Sequence, residues 1–73
     1  MANIEFEIVQ NIACLAEEKN GWVKELNFIS WNKREAKYDI RAWSKDHSKM
    51  GKGVTLDREE LINLKSILDE LFE

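Results

Sequence analysis

The apolar period of this 73-residue chain changes once, at Asp57. Before it, apolar residues alternate with polar ones: Ile4, Phe6 and Ile8 against Glu5, Glu7 and Gln10, then Tyr38, Ile40 and Ala42 against Lys37, Asp39 and Arg41. After it, Leu61, Leu64, Leu68 and Leu71 recur at spacings of three and four, with Ile67 and Phe72 widening the stripe. A period of two belongs to half-buried strands and a period near 3.6 to a helix with one apolar face. Asp57 suits an N-cap, and Glu60 three residues later completes a capping-box pattern. The chain therefore predicts an α+β fold: a four-stranded antiparallel sheet followed by one C-terminal amphipathic helix of about 15 residues.

The strands are delimited by turn chemistry. The first is predicted over Ile4–Ala16, with its phase blurring after Val9 and a bulge near Asn11. Glu17–Gly21 is a turn, since Asn-Gly is a strong hairpin signal. Trp22–Trp31 is a second strand, Asn32–Glu35 a polar turn, Ala36–Ser44 a third strand, Lys45–Gly51 a loop and Lys52–Leu56 a short fourth strand. These elements make a single domain over residues 1–73. One helix covers one face of such a sheet, so the other face must meet solvent, a second subunit or a ligand.

A domain this small is marginal alone. Cys14 is the only cysteine and reads as a small core residue in an apolar run, so no internal disulfide forms. His47 is the only histidine and stands in a polar loop without a ligand partner nearby, so no metal site is expected. Oligomerisation is the remaining support. The helix stripe is too wide for one small sheet, which predicts a homodimer joined through Leu61, Leu64, Ile67, Leu68, Leu71 and Phe72.

The net charge of −3 hides a segregation. Residues 1–18 hold four acids and no Lys or Arg, residues 19–56 hold nine basic and four acidic residues, and residues 57–73 hold two basic and six acidic ones. A basic middle between acidic ends predicts a localised positive surface. The sequence shows no basic-then-apolar leader and no long apolar run, which predicts a cytoplasmic protein with no membrane partner, nucleoid association being compatible.

Enzyme readings find little support. Nothing pairs a nucleophile with a base, and Gly51-Lys52-Gly53 lacks the spacing of a phosphate-binding loop. No catalytic residue and no cofactor is expected. The second and third strands instead interleave Trp22, Phe28, Trp31, Tyr38 and Trp43 with Lys24, Lys33, Arg34, Lys37 and Arg41. Rings that stack on bases beside cations that meet phosphates suit single-stranded nucleic acid. A protein-interaction module would use the same exposed aromatics, so the residue pattern leaves both readings open. Parity separates the tryptophans: Trp31 shares a face with Val23, Glu25, Asn27 and Ile29, and Trp22 shares the other with Lys24, Leu26 and Phe28. On the third strand Arg41 and Trp43 share a face with Lys37 and Asp39.

Asp39-Ile40-Arg41 followed by Trp43, then Lys52-Gly53-Val54-Thr55-Leu56 leading into an acidic helix, resembles the positive-cofactor-four family of transcriptional coactivators. The likeness runs from Phe6 through the helix and looks closest to the bacterial YdbC-type members. It implies a homodimer that binds single-stranded DNA with little sequence preference, RNA being the alternative nucleic acid. It further implies that Arg41 and Lys52 contact DNA and that Trp31 stacks on a base. Lys33 and Arg34 correspond to basic turn positions and Lys24 to a basic position near the start of the second strand. Trp43 either stacks on a base or closes the core, and Asp39 either orients Arg41 or holds the sheet.

Overall fold

The computed structural model describes residues 4–73; the first three residues of the predicted domain lie outside the described residues. The order is β1 (Phe6–Glu17), β2 (Val23–Trp31), β3 (Lys37–Trp43), β4 (Met50–Leu56) and α1 (Arg58–Leu71). The strands form one open antiparallel sheet in the order β1-β2-β3-β4. The predicted ββββα architecture is the observed one. No helix among the described residues is long and apolar enough to cross a membrane.

Turn chemistry explains the strand ends. Gly21 N–H donates to the Glu18 carbonyl at 3.0 Å, Glu18 N–H donates to the Trp22 carbonyl at 2.7 Å, and Gly21 has φ 85°. This is a type I turn closed by a glycine in the left-handed region, which is why Asn20-Gly21 stands there. Between β2 and β3, Asn32 and Lys33 both have positive φ, and Arg34 N–H donates to the Trp31 carbonyl at 2.9 Å. That twisted reversal presents Lys33 and Arg34 at an exposed tip. β4 starts at Met50, two residues earlier than predicted. Ser44 N–H bonds the Lys49 carbonyl at 2.9 Å, so the loop closes sooner and Met50 pairs with Trp43.

β1 carries three register shifts against β2, between Ile8 and Gln10, Asn11 and Ala13, and Cys14 and Ala16. The bulge predicted near Asn11 is the middle one. Val9, Ile12 and Leu15 are the residues the shifts leave over, and all three are exposed. Each bulge bends its strand and adds twist. Cys14 is exposed rather than in the core, because β1 is an edge strand with no second layer over that end.

The curl is visible in the aromatic contacts. Phe6 pairs in register with Trp31 at one end of β2, and Trp43 pairs with Val23 at the other end. Eight residues of strand separate those positions, about 26 Å. Yet the Phe6 and Trp43 rings stand 5.2 Å apart, and Phe6 and Trp31 5.8 Å. Only a strongly coiled sheet brings them together. Glu25, Asn27, Ile29, Asp39 and Trp43 are buried, and all lie on this inner face.

The opposite face carries Lys24, Leu26, Phe28, Tyr38, Ile40 and Ala42. The helix lies over it, with Leu61, Leu64 and Leu68 bordering a gap of about 250 Å³ above Leu26. Its start is capped as predicted: Asp57 accepts from Glu60 N–H at 2.8 Å, and Glu60 Oε1 accepts from Asp57 N–H at 2.9 Å. No helix residue is buried; Ile67, Leu71 and Phe72 are largely exposed.

Candidate nucleic-acid interface

The inner face is built on two polar clusters, and each begins in the register of β2 against β3. Glu25 stands opposite Arg41, and Asn27 opposite Asp39. Asn11 Nδ2 donates to Asn27 Oδ1 at 2.8 Å, Asn27 Nδ2 donates to Glu25 Oε1 at 3.1 Å, and His47 Nε2 lies 2.8 Å from the same oxygen. Burial pushes the Glu25 carboxyl up. Hydrogen bonds from His47, Asn27 and Asn11, with the charge of His47, outweigh that and leave it below its ordinary value. His47 thus serves as a structural partner, and its ring also packs on Trp43 at 5.5 Å. Glu25 and Asn27 are site-building residues that sequence reasoning placed on the correct face but gave no role. Their alternation in phase with Asp39 and Arg41 was the available signal.

The second cluster centres on Asp39, which is fully buried. Arg41 Nε donates to Asp39 Oδ1 and Arg41 Nη2 to Oδ2, each at 2.7 Å. Thr55 Oγ1 donates to Asp39 Oδ2 at 3.1 Å. Arg41 Nη1 reaches the Gly51 carbonyl at 3.3 Å and Met50 sulfur at 3.4 Å. The buried Asp39 charge and the part-buried Arg41 charge are therefore paired and hydrogen-bonded, the condition under which such a pair is tolerated. The guanidinium carbon also sits 4.7 Å from the centroid of a Trp31 ring.

Trp31 is half-buried, and its Nε1 is the buried part. The residue offers ring surface outward and keeps its donor inside. It borders a shallow groove of about 280 Å³ together with Ile4, Asn32, Arg41, Met50 and Thr55. Lys33 and Arg34 stand at the neighbouring turn, and Lys37 lies on the same face as Arg41; all three are exposed. Lys33 approaches Glu5 at 4.0 Å, an exposed pair of little energetic weight. Lys52 is exposed on β4 at the irregular step opposite Ala42.

Two predicted members fall elsewhere. Trp43 is 0% exposed, packed by Phe6 and His47, so of its two readings it closes the core. The curl of the sheet over its end of β3 decides this. Lys24 lies on the helix-bearing face, since it pairs with Ala42 rather than with the Glu25–Arg41 row. The loop beyond Trp43 is pre-ordered: Asp46 Oδ1 accepts from Ser44 Oγ at 2.9 Å, Ser48 N–H at 3.0 Å and Ser48 Oγ at 2.6 Å. Those bonds hold its carboxyl down at about 2. The loop's Lys45 and Lys49 are exposed.

A coiled sheet carries an aromatic–cation face on one side and an acidic helix on the other, the arrangement of a sheet-based binding domain. The chain belongs to the family of Transcriptional Coactivator p15 (PC4), which it matches over residues 18–67, from the β1–β2 turn well into the helix. That family is nucleic-acid-binding and non-enzymatic. The chain is also similar to an uncharacterized protein of Treponema pallidum (strain Nichols), at 51% identity over 69 residues, covering 94% of this chain and 81% of that protein.

Proposed function

We propose that this protein is a homodimer that binds single-stranded DNA with little sequence preference through the inner edge of its sheet. The observation that carries the reading is Trp31. Its ring is partly exposed beside Arg41, with Lys33, Arg34 and Lys37 around it, and its N–H donor is turned inward. A ring without an outward donor stacks on any base and reads none. The basic residues follow the phosphates beside it. The one helix is acidic, with six acids against two basic residues over 57–73, and no duplex groove would accept it. The uncovered apolar side chains of that helix support pairing with a second copy. A cytoplasmic site of action goes with this reading.

Competition tests it. A labelled oligothymidine strand is bound to the protein and displaced by unlabelled single-stranded DNA, duplex DNA of the same sequence, or single-stranded RNA. Single-stranded DNA displaces it at the lowest concentration. Preferential displacement by duplex overturns the reading, and preferential displacement by RNA moves the function to RNA handling.

A further inference from the structure

We propose that Arg41 is a positioning residue for the Trp31 stacking platform and does not itself carry a phosphate. The proposal rests on the single-stranded-DNA reading above and refines how that face works. An arginine that grips a phosphate offers its fork of donors and an uncompensated charge. Here Nε and Nη2 are both taken by the two oxygens of Asp39, and Nη1 points to Gly51 and Met50 of β4. The Arg41 side chain is only 14% exposed, and its charge is matched by a carboxylate with no exposure at all. What remains is one Nη2 N–H and the flat guanidinium, which faces the Trp31 ring.

The surroundings are shaped for that pose. Gly53 stands opposite Arg41 in the β3–β4 register, and a Cβ there would come within 2.9 Å of Arg41 Nε. The absent side chain lets the arginine lie flat across β4. Thr55 bonds the second Asp39 oxygen and fixes the carboxylate from the other side. Asp39, Arg41, Gly53 and Thr55 thus act through one another to hold an indole that would otherwise swing between rotamers. A platform held in place before binding loses less side-chain freedom when a base arrives.

The test is a double-mutant cycle read against salt. Wild type, Arg41→Gln, Arg41→Lys, Trp31→Ala and the Arg41→Gln/Trp31→Ala double variant are titrated into labelled oligothymidine across a salt series, with circular dichroism confirming folding. Trp31→Ala weakens binding by about 5- to 150-fold, the range for losing one stacked base. Arg41→Gln weakens binding by a part of that and leaves the log–log salt slope unchanged. In the Trp31→Ala background it has little further effect, because its route of action is gone. Arg41→Lys keeps the charge but not the fork, and behaves like the glutamine variant.

A slope reduced by about 0.7, the value of one phosphate contact on a single strand, overturns the proposal. Full rescue by lysine, or effects that simply add, overturns it as well. A wild-type measurement covers variants that fail to fold. The Arg41 Nε–H proton is protected from solvent exchange in the free protein and equally so with oligothymidine; protection that appears only with DNA overturns the proposal. Should wild type not bind oligothymidine at all, the functional reading falls and this refinement with it, an outcome distinct from binding with an altered slope.

Discussion

His47 Nε2 stands 2.8 Å from Glu25 Oε1, and this one contact ties the β3–β4 loop to the middle of β2 across the curled face. Burial raises the Glu25 carboxyl, but the bonds from His47 and Asn27 prevail and its folded value lies below the ordinary 4.5. The sign follows from linkage. A carboxylate depressed by folding stabilises the protein fully above its unfolded value, and that stabilisation is lost as the pH falls through the folded value. Glu25→Gln should destabilise the protein by about 1–3 kcal/mol near neutrality, since it weakens a buried hydrogen-bond network. Thermal melts of the two proteins should converge as the pH drops below 4.5. A gap that stays constant down to strong acid would show that the charge of Glu25 plays no part.

Two glycines of β4 should respond differently to the same substitution. A Cβ on Gly53 would stand 2.5 Å from the Ile40 carbonyl oxygen, a backbone atom that cannot step aside. A Cβ on Gly51 meets nothing nearer than the Ala42 carbonyl at 3.7 Å, ordinary contact. Gly53→Ala should cost about 1–3 kcal/mol through overpacking, whereas Gly51→Ala should stay within about 0.5 kcal/mol. Urea unfolding measures both. Equal effects would mean that the tight approach of β3 to β4 at Arg41 is not a constraint.

The change of period at Asp57, the capping box and the Asn20-Gly21 turn were legible because each is a local signal whose physics is complete within a few residues. Strand parity was legible too, and placed Trp31, Glu25 and Asn27 on one face. It could not say which face curls inward. That depends on three bulges in β1, of which the sequence shows only a blurred phase after Val9, and bulges are set by register against β2. The fate of Trp43 followed from the same missing fact. So did the partnership of Glu25 with His47, residues 22 positions apart that meet only once the sheet has coiled. Lys24 was included among the binding residues on the family resemblance, although strand parity already set it on the face opposite Trp31.

That placement makes a comparison among lysines decisive. Lys37 lies in the Asp39–Arg41 row of the inner face, and Lys24 lies on the helix-bearing face with Leu26 and Phe28. Lys37→Ala should lower the salt slope of single-stranded DNA binding by about 0.7. Lys24→Ala should leave both slope and affinity close to wild type. Both are exposed, so folding should be unaffected. A Lys24 effect equal to that of Lys37 would mean that DNA wraps to the second face.

The helix makes the last prediction. Its apolar stripe is only partly covered by the sheet beneath it. Leu61 and Leu64 are half-buried, whereas Leu71 is 66% and Phe72 79% exposed, and the stripe stands off Leu26 across an apolar gap. Val54 is exposed as well, paired with Ile40 on the same face. A contiguous apolar surface of this kind marks an interface, and a two-fold pair in which each helix covers the other's sheet would bury it on both copies. Sedimentation at micromolar concentration should therefore give a dimer for the wild type. Leu71→Glu places a charge on that exposed stripe but touches little in the single chain, so the variant should sediment as a folded monomer with its circular dichroism preserved. If each dimer spans two stretches of one strand, the variant should also bind long oligothymidine more weakly than wild type while binding a short one equally, because the linked second site is lost. A wild type that sediments as a monomer would remove the dimer, and would leave the exposed helix face to a different partner.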